Sequence, residues 1–511
     1  MRAMASKRRA APDFYAAGLA AAREERHSDA IAAYERALEQ APGDKRVLFA
    51  LGNTAVALGQ VEAAESFFLR VLAQAPDRVE ALVNLANLWR KRGRTADVIA
   101  LLRPALEHNP EGSELWLTLG SALREAGDKG TAEIFTREAL RLSPGDAAAL
   151  GNLADLLADQ GRVDEALSLH AAAIATEPEN AQARLNRAIL FLLKGDLKQG
   201  WRDYEYRLRI KGRAITASHG LPQWNGAYTD GLRLLVTAEQ GIGDQLMFAS
   251  MIPELAGRLA QCGGRVILES EPRLVPLLAR SFPFVSARPS KIERRGGQLF
   301  AHYEGLHASG ADAAIAIGSL PGLLRNEISG FARPHAYLVS DAPERSRWSD
   351  WLRAQGNGPF IGLCWRSGTF GGLRNLQYAP PEAWAAFIRE LPGTLVSAQY
   401  DAPADEIAAL QAQSGRPILA PPQLDQKQEI DRTAAFIANL DAVVSAPTSV
   451  AWIAAGLGVP TCKILYYNSW TSFGRDYEPF APSARCMMPK QAGDWADTFA
   501  KARDALRVTI V

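Results

Sequence analysis

The chain has 511 residues, with 57 basic and 56 acidic side chains and a formal charge of +1. That balance excludes a dominant polyanion-binding surface, so no nucleic acid partner is expected. The length allows roughly two to four domains with large cores.

The first residues, M-R-A-M-A-S-K-R-R-A-A-P, are basic but lack the apolar stretch of a secretory signal. The most apolar window, 442–460, contains Pro447, Thr448, Ser449, Gly456 and Gly458. It reads as strand, loop and helix, so no membrane span and a cytoplasmic location are expected. Cys262, Cys364, Cys462 and Cys486 lie far apart without metal-ligand spacing and read as buried thiols.

Prolines recur every 34 residues at Pro42, Pro76, Pro110, Pro144 and Pro178. Twelve before each stands Ala30, Ala64, Val98, Ala132 or Ala166, and five before each stands Ala37, Val71, Ala105, Ala139 or Ala173. A further small residue stands 24 before: Gly18, Gly52, Ala86, Gly120 and Ala154. Small residues at fixed helical offsets let paired helices approach closely, and the proline closes each unit. The pattern resembles the tetratricopeptide repeat, and a degenerate sixth unit follows in Asn180–Arg209. By that resemblance the array stacks into a superhelix that holds a protein segment. Asn53, Asn84, Asn87 and Asn152 fall on first helices, where similar arrays direct amides at a bound backbone. The aromatic, charged segment Gly195–Arg207 is expected to cap the array through Trp201 and Tyr204. The array is placed at 12–210 and a linker at 211–231, so a cut before about residue 211 is expected to spare donor binding.

From Leu232 the period changes to short apolar runs separated by helices. Strands are expected at Leu234–Thr237, Arg265–Glu269 and Ala313–Ile317, forming a lobe over 232–340. A second series, at Phe360–Trp365, Thr394–Ala398, Pro417–Leu419, Ala442–Ser445 and Thr461–Leu465, forms a lobe over 341–511 with a terminal helix. Helices are expected between them at Pro381–Leu391, Pro403–Ser414, Asp431–Asn439 and Ser449–Gly456. Alternating strands and helices imply doubly wound parallel sheets, which bind ligands at the carboxyl ends of their strands.

Three segments carry chemistry. In E-Q-G-I-G-D-Q-L-M-F, Gly241 and Gly243 form a tight loop, and Asp244 opens a helix. Glycines there allow close backbone approach, although plain capping by Asp244 fits the same residues. I-G-L-C-W-R-S-G (Ile361–Gly368) ends a buried strand in Arg366 and Ser367. In S-A-P-T-S-V-A-W, Thr448 and Ser449 stand at a helix start, where hydroxyls and free N–H groups suit a phosphate. Ordinary capping is the alternative.

Taken together, these segments and Gln399, after L-V-S-A, resemble the heptosyltransferase-like inverting glycosyltransferases of the two-lobed GT-B fold, over roughly Leu232–Pro489. The resemblance implies that Asp244 is the general base. It places Gly243, Arg366, Ser367, Gln399, Thr448 and Ser449 around the donor, and the four asparagines around the acceptor. Where the family often has an acid and a histidine near the late helix, this chain has Pro447 and Trp452. Repeats joined to such a region resemble the bacterial enzymes that glycosylate flagellin with a nonulosonic (pseudaminic or sialic-like) acid from a CMP-activated donor. The implied fold is α + α/β, a repeat superhelix followed by a GT-B transferase. The implied activity is protein O-glycosyl transfer to Ser or Thr without metal or other cofactor. A nucleoside-diphosphate-sugar enzyme acting on another protein or an envelope saccharide, and a non-catalytic scaffold, are the alternatives.

Overall fold

The computed structural model describes residues 13–509, except 211, 214, 218, 240, 296–297, 304–309, 332–335 and 369–375. The basic stretch at 1–12 lies outside the described residues. Contacts divide the chain into two compact units, one ending at Glu177 and one beginning at Pro178.

The first unit is built of helix pairs, from Phe14–Arg23 with His27–Gln40 to Ala147–Asp159 with Val163–Thr176. Close packing explains the small residues. A Cβ added at Gly18 would stand 2.4 Å from the Tyr34 ring, and one at Gly52 would stand 2.5 Å from Phe68. A second 34-residue register turns each pair: Gly59, Gly93, Gly127 and Gly161 all have φ between 71° and 89°. Left-handed backbone ends a helix at little cost only in glycine. In the first pair Glu25 occupies that place at φ 58°. Successive pairs are tied by Arg90–Glu125 at 2.7 Å and Arg124–Asp159 at 2.6 Å, each a step of 35 residues.

The second unit opens with one more pair, Ala181–Leu193 and Leu197–Tyr204, and a 3-10 turn at Glu205–Arg209. The aromatic cap foreseen from the sequence packs within this unit. Trp201 is buried edge-on against Trp470, Phe473 and Phe480, and Leu185, Ala188, Leu192 and Leu197 belong to the same core.

Two parallel sheets follow. We number strands in chain order: β1 Ile215–Ala217, β2 Arg233–Thr237, β3 Arg265–Ser270, β4 Ser286–Pro289, β5 Ile292–Arg295, β6 Gln298–Ala301 and β7 Ala313–Ala316. Then come β8 Phe360–Cys364, β9 Thr394–Ser397, β10 Ile418–Leu419, β11 Ala442–Ser445, β12 Thr461–Ile464 and β13 Ala484–Met487. One sheet has the order β4-β3-β2-β7 and the other β10-β9-β8-β11-β12-β13, and every pairing in both is parallel. A small sheet, β1-β6-β5, completes the described strands. All eight strands expected from apolar runs are present. The edge strands β4 (S-A-R-P) and β13 (A-R-C-M) escape such a reading because they carry no apolar run. The chain thus combines repeat-type helix pairs with an α/β region of parallel sheets.

One core runs through both sheets of this unit. The helix Val275–Ser281 meets the helix Ile430–Ile437 through Arg280, which pairs with both carboxylate oxygens of Asp431 at 2.7 and 2.6 Å. Tyr337 donates to the Leu246 carbonyl at 2.9 Å.

Candidate functional site

In each parallel sheet the chain runs outward over three strands and then returns beside the first, so strand order reverses at β2/β7 and at β8/β11. Ligands of doubly wound sheets bind outside the carboxyl ends at that reversal.

At β2/β7 the crevice is occupied by the chain itself. Arg207 donates to Glu239 at 2.9 and 2.6 Å and to Ser319 Oγ at 2.8 Å. Glu239 also accepts the Gly318 N–H at 2.7 Å. Arg207, Glu239 and Ser319 are all buried.

Beyond Glu239 the chain turns into the helix Ile242–Ala249, with Gly241 as its N-cap. Asp244 is half-buried in the first turn, and its carboxylate accepts the Gly241 N–H at 3.3 Å. The local cap explains why this sequence turns here. Burial pushes the Asp244 carboxyl above the ordinary range, and Glu239 adds to the rise. The Gly241 N–H and the charges of Lys463 and Arg207 oppose it. A carboxylate with raised proton affinity is a better general base than an exposed one.

Gly243 brings this loop onto the other sheet. A Cβ placed there would stand 3.4 Å from Trp452 and 3.8 Å from the Ser449 nitrogen, in ordinary contact. Helix Ile242–Ala249 therefore begins against the beginning of helix Ser449–Gly456, the helix that follows β11. Thr448 is its buried N-cap and makes no side-chain capping bond; its hydroxyl lies 3.2 Å from Ser445 Oγ and 3.5 Å from Cys364 Sγ. Ser449 is half-buried at the first helical position. Trp452 is buried beneath the Lys463 ammonium, 4.9 Å from the ring centroid, and Lys463 is itself paired with Glu478.

The strand-loop after β8 is held rigid by Gln399. Its Oε1 accepts the N–H groups of Trp365 and Arg366 at 2.9 and 3.0 Å, and its amide donates to the Arg366 and Tyr400 carbonyls at 2.9 and 2.8 Å. Gln399 is buried and acts here as a clamp on backbone. Arg366 forms a two-pronged pair with Glu406, with Nε to Oε1 at 2.6 Å and Nη2 to Oε2, and also donates to the Asp401 carbonyl at 3.1 Å. Ser367 Oγ accepts from Tyr400 Oη at 3.3 Å. Beside the Arg366–Glu406 pair lies a cavity of about 490 Å³, walled by Trp365, Tyr378, Pro380, Pro381, Trp384 and Leu410.

The asparagines of the first unit also have structural partners. Asn84 donates to Asn53 at 2.8 Å and Asn152 to Ser121 at 3.1 Å, each bridging neighbouring helix pairs, and Asn87 accepts from Arg90 at 3.1 Å.

The fold brings Gly243 against Ser449, with Asp244 next in the chain, and it ties Thr448 to the end of β8 through Cys364. Arg366, Ser367 and Gln399 are engaged within that loop and its neighbours. Sequence reading missed Glu406, Arg207, Glu239 and Lys463. Trp470 and Phe473 pack in the core with Trp201. Among the described residues no group of three or more His, Cys, Asp or Glu is placed to hold a metal, and no helix is long and apolar enough to cross a membrane.

Comparison with known proteins bears on the first unit most directly. Tetratricopeptide-repeat families match residues 21–88, 83–147 and 152–209. The Protein FlbA of Caulobacter vibrioides is 32% identical over 334 residues, covering 65% of this chain and 56% of FlbA. The chain thus spans little more than half the length of that relative. Among solved structures, a thermophilic TPR protein of Thermus thermophilus is 26% identical with a TM-score of 0.32, covering 35% of this chain and 97% of that one. The pilF protein of Pseudomonas aeruginosa is 18% identical with a TM-score of 0.33, covering 39% and 89%.

Proposed function

We propose that the α/β unit is an inverting protein O-glycosyltransferase and that the repeats hold its acceptor. In this reading the acceptor is flagellin and the donor a CMP-linked nonulosonic acid. Asp244 takes the proton of the acceptor Ser or Thr hydroxyl as its oxygen attacks the anomeric carbon. The C–O bond to the phosphate breaks, and the N–H groups at the start of helix Ser449–Gly456 stabilise the phosphate as its charge develops. Arg366 is already neutralised by Glu406, so Thr448 and Ser449 are the principal phosphate holders. One phosphate suits that small set better than two, since each uncompensated charge is costly to enclose. Asn53, Asn84, Asn87 and Asn152 lie on first helices of the array and serve the acceptor segment.

The observation that supports this reading is the close approach of Gly243 to the start of helix Ser449–Gly456, with Asp244, whose proton affinity burial raises, next in the chain. Asp244→Asn keeps the cap geometry, so the melting temperature should hold while transfer falls by roughly 10²–10⁴-fold. Transfer in the native protein should require ionised Asp244 and so decline in acid, with a midpoint above the ordinary aspartate value of 3.8. Mass spectrometry of flagellin incubated with donor and protein measures both. Near-normal turnover by the Asn variant would return Asp244 to a capping role.

A further inference from the structure

We propose that Lys463, a buried lysine of β12, is a positioning residue for Asp244. Seated on the Trp452 ring, it presents from the second sheet a positive charge to the Gly241–Asp244 loop of the first. The use of Asp244 as a base rests on the glycosyl-transfer reading above, whereas the charge relation does not.

An ammonium inside a sheet is costly unless it is paired and hydrogen-bonded. Glu478 is fully buried and supplies the pair. Its Oε1 accepts from Lys463 Nζ, from Thr471 Oγ1 at 2.9 Å and from Cys486 Sγ at 3.4 Å. Well-packed apolar side chains in place of such a pair are often as stable or more so, so stability alone is a weak reason for it. The geometry supplies another. Lys463 Nζ lies 4.9 Å from the centroid of Trp452, and an ammonium is drawn to an indole face most strongly where water is excluded. Trp452 is buried, and its Cδ1 would stand 3.4 Å from a Cβ added at Gly243. Lys463, Trp452 and Gly243 thus form a continuous stack from β12 to the loop that carries Asp244.

On the first sheet that loop is short of positive charge. Arg207 is shared there by two carboxylates, Glu239 and, through Nη1 at 2.9 Å, Glu205. Asp244 faces Glu239 and Arg207 from its own side and Lys463 from the other, while Tyr337 meets the same helix farther along, at the Leu246 carbonyl. Burial raises the Asp244 carboxyl above its ordinary range, and Glu239 adds to the rise; the Gly241 N–H, Lys463 and Arg207 act against it. Lys463 is the member of this set that belongs to the second sheet. An acid tuned from the opposite sheet keeps its proton affinity only while the two sheets stay packed at Gly243.

The test is carbon NMR of the full-length protein labelled at the aspartate carboxyl carbon. The Asp244 resonance is identified by its loss in Asp244→Asn. Lys463→Met alone would strand the Glu478 carboxylate, so it is combined with Glu478→Gln; this double variant removes both charges and should melt near the native temperature. Removing a positive charge makes a carboxylate harder to ionise, so the Asp244 midpoint should rise in the double variant by at least about half a pH unit. Glu478→Gln alone breaks the same pair but keeps the lysine, and Lys463→Arg keeps the charge; neither should raise the midpoint. A midpoint unmoved in the double variant, or raised as much by Glu478→Gln alone, would overturn the assignment, because packing would then account for Lys463. The pH dependence of transfer, measured on the same proteins, separates the two readings. An NMR midpoint that rises while the transfer profile stays in place would uphold the charge relation and remove Asp244 as the base.

Discussion

The two parallel sheets share one strand order over their first four members, yet the crevices at their reversal points have opposite fates. At β2/β7 a buried guanidinium from the preceding helical segment, Arg207, fills the space and pairs with Glu239. At β8/β11 the chain spends Gln399 on holding backbone and leaves the helix start at Thr448–Ser449 unfilled by a side-chain cap. Topology supplies a crevice in both sheets. The few side chains that follow each strand decide whether it is filled as a structural joint or left without a capping side chain.

That comparison is most severely tested by truncation. Starting the chain at Pro178 removes the first compact unit and keeps Arg207. The remaining unit should unfold cooperatively, as followed by circular dichroism. Starting at Gly212 deletes Leu185, Ala188, Leu192, Leu197, Trp201 and Tyr204 from the core as well as Arg207. Large buried side chains each contribute about 2–5 kcal/mol, so this loss exceeds the stability of an ordinary domain and no cooperative transition should remain. Retained donor binding after the longer cut would show that the segment is dispensable.

A sharper probe is Arg207→Met, which leaves the Glu239 carboxylate buried and unpaired. The expected destabilisation is about 3–5 kcal/mol by denaturant titration. Adding Glu239→Gln should recover part of it, because the uncompensated charge is gone. A loss below about 1 kcal/mol in the single variant would mean that water reaches the crevice and that the first sheet is not closed as described.

Smaller again is the effect of Glu269 at the end of β3. Its carboxyl is 1% exposed, neither oxygen has a well-formed hydrogen bond, and Arg288 is 3.8 Å away. Burial raises its pKa from 4.5 to about 7, against the opposing Arg288 charge and the Ala238 N–H. Protonated Glu269 is favoured by the fold, so its contribution is complete below pH 4.5 and is lost as pH rises through about 7. The loss is at most about 3 kcal/mol. Glu269→Gln should flatten stability between those limits, and unchanged pH dependence would remove the group from the account.

Outside both sheets, Glu25→Gly should stabilise the first helix pair by roughly 0.5–1 kcal/mol. It relieves the left-handed backbone that glycine adopts in the equivalent turns of the later pairs. A melting temperature no higher than that of the native protein would show that Glu25 makes compensating interactions.

The repeats were legible because their period is written locally, in prolines and small residues 34 apart. The turning glycines obey the same period and were available to the same reading. Strands buried in the sheets were legible as apolar runs, whereas β4 and β13 lie at edges with mixed composition. Gly243, Asp244, Thr448 and Ser449 were legible because a loop and the helix it opens are contiguous. The ionic partners were not. Arg366 meets Glu406 across 40 residues, Arg207 meets Glu239 across 32, and Lys463 meets Glu478 across 15. Nothing in the spacing of those charges announces a pairing that only the folded chain creates. For Arg366 the consequence is large, since a residue that reads as a phosphate cation is found neutralised by an acid.

The small residues of the repeats set a tempo as well as a distance. Gly18 and Gly52 lie under the large rings of Tyr34 and Phe68, but Gly120 lies under Thr136, whose Oγ1 would be 2.7 Å from an added Cβ. Thr136 turns its hydroxyl to the Ala132 carbonyl of its own helix, so at this one position the fourth pair sets a hydroxyl where the first two set a ring. Opening one pair at a time is the natural motion of a stack in which each member touches only its neighbours. Amide protons of Ser113–Leu142 should therefore exchange with deuterium sooner than those of Lys45–Leu72, making the fourth pair the place where a stack of otherwise similar members first breathes.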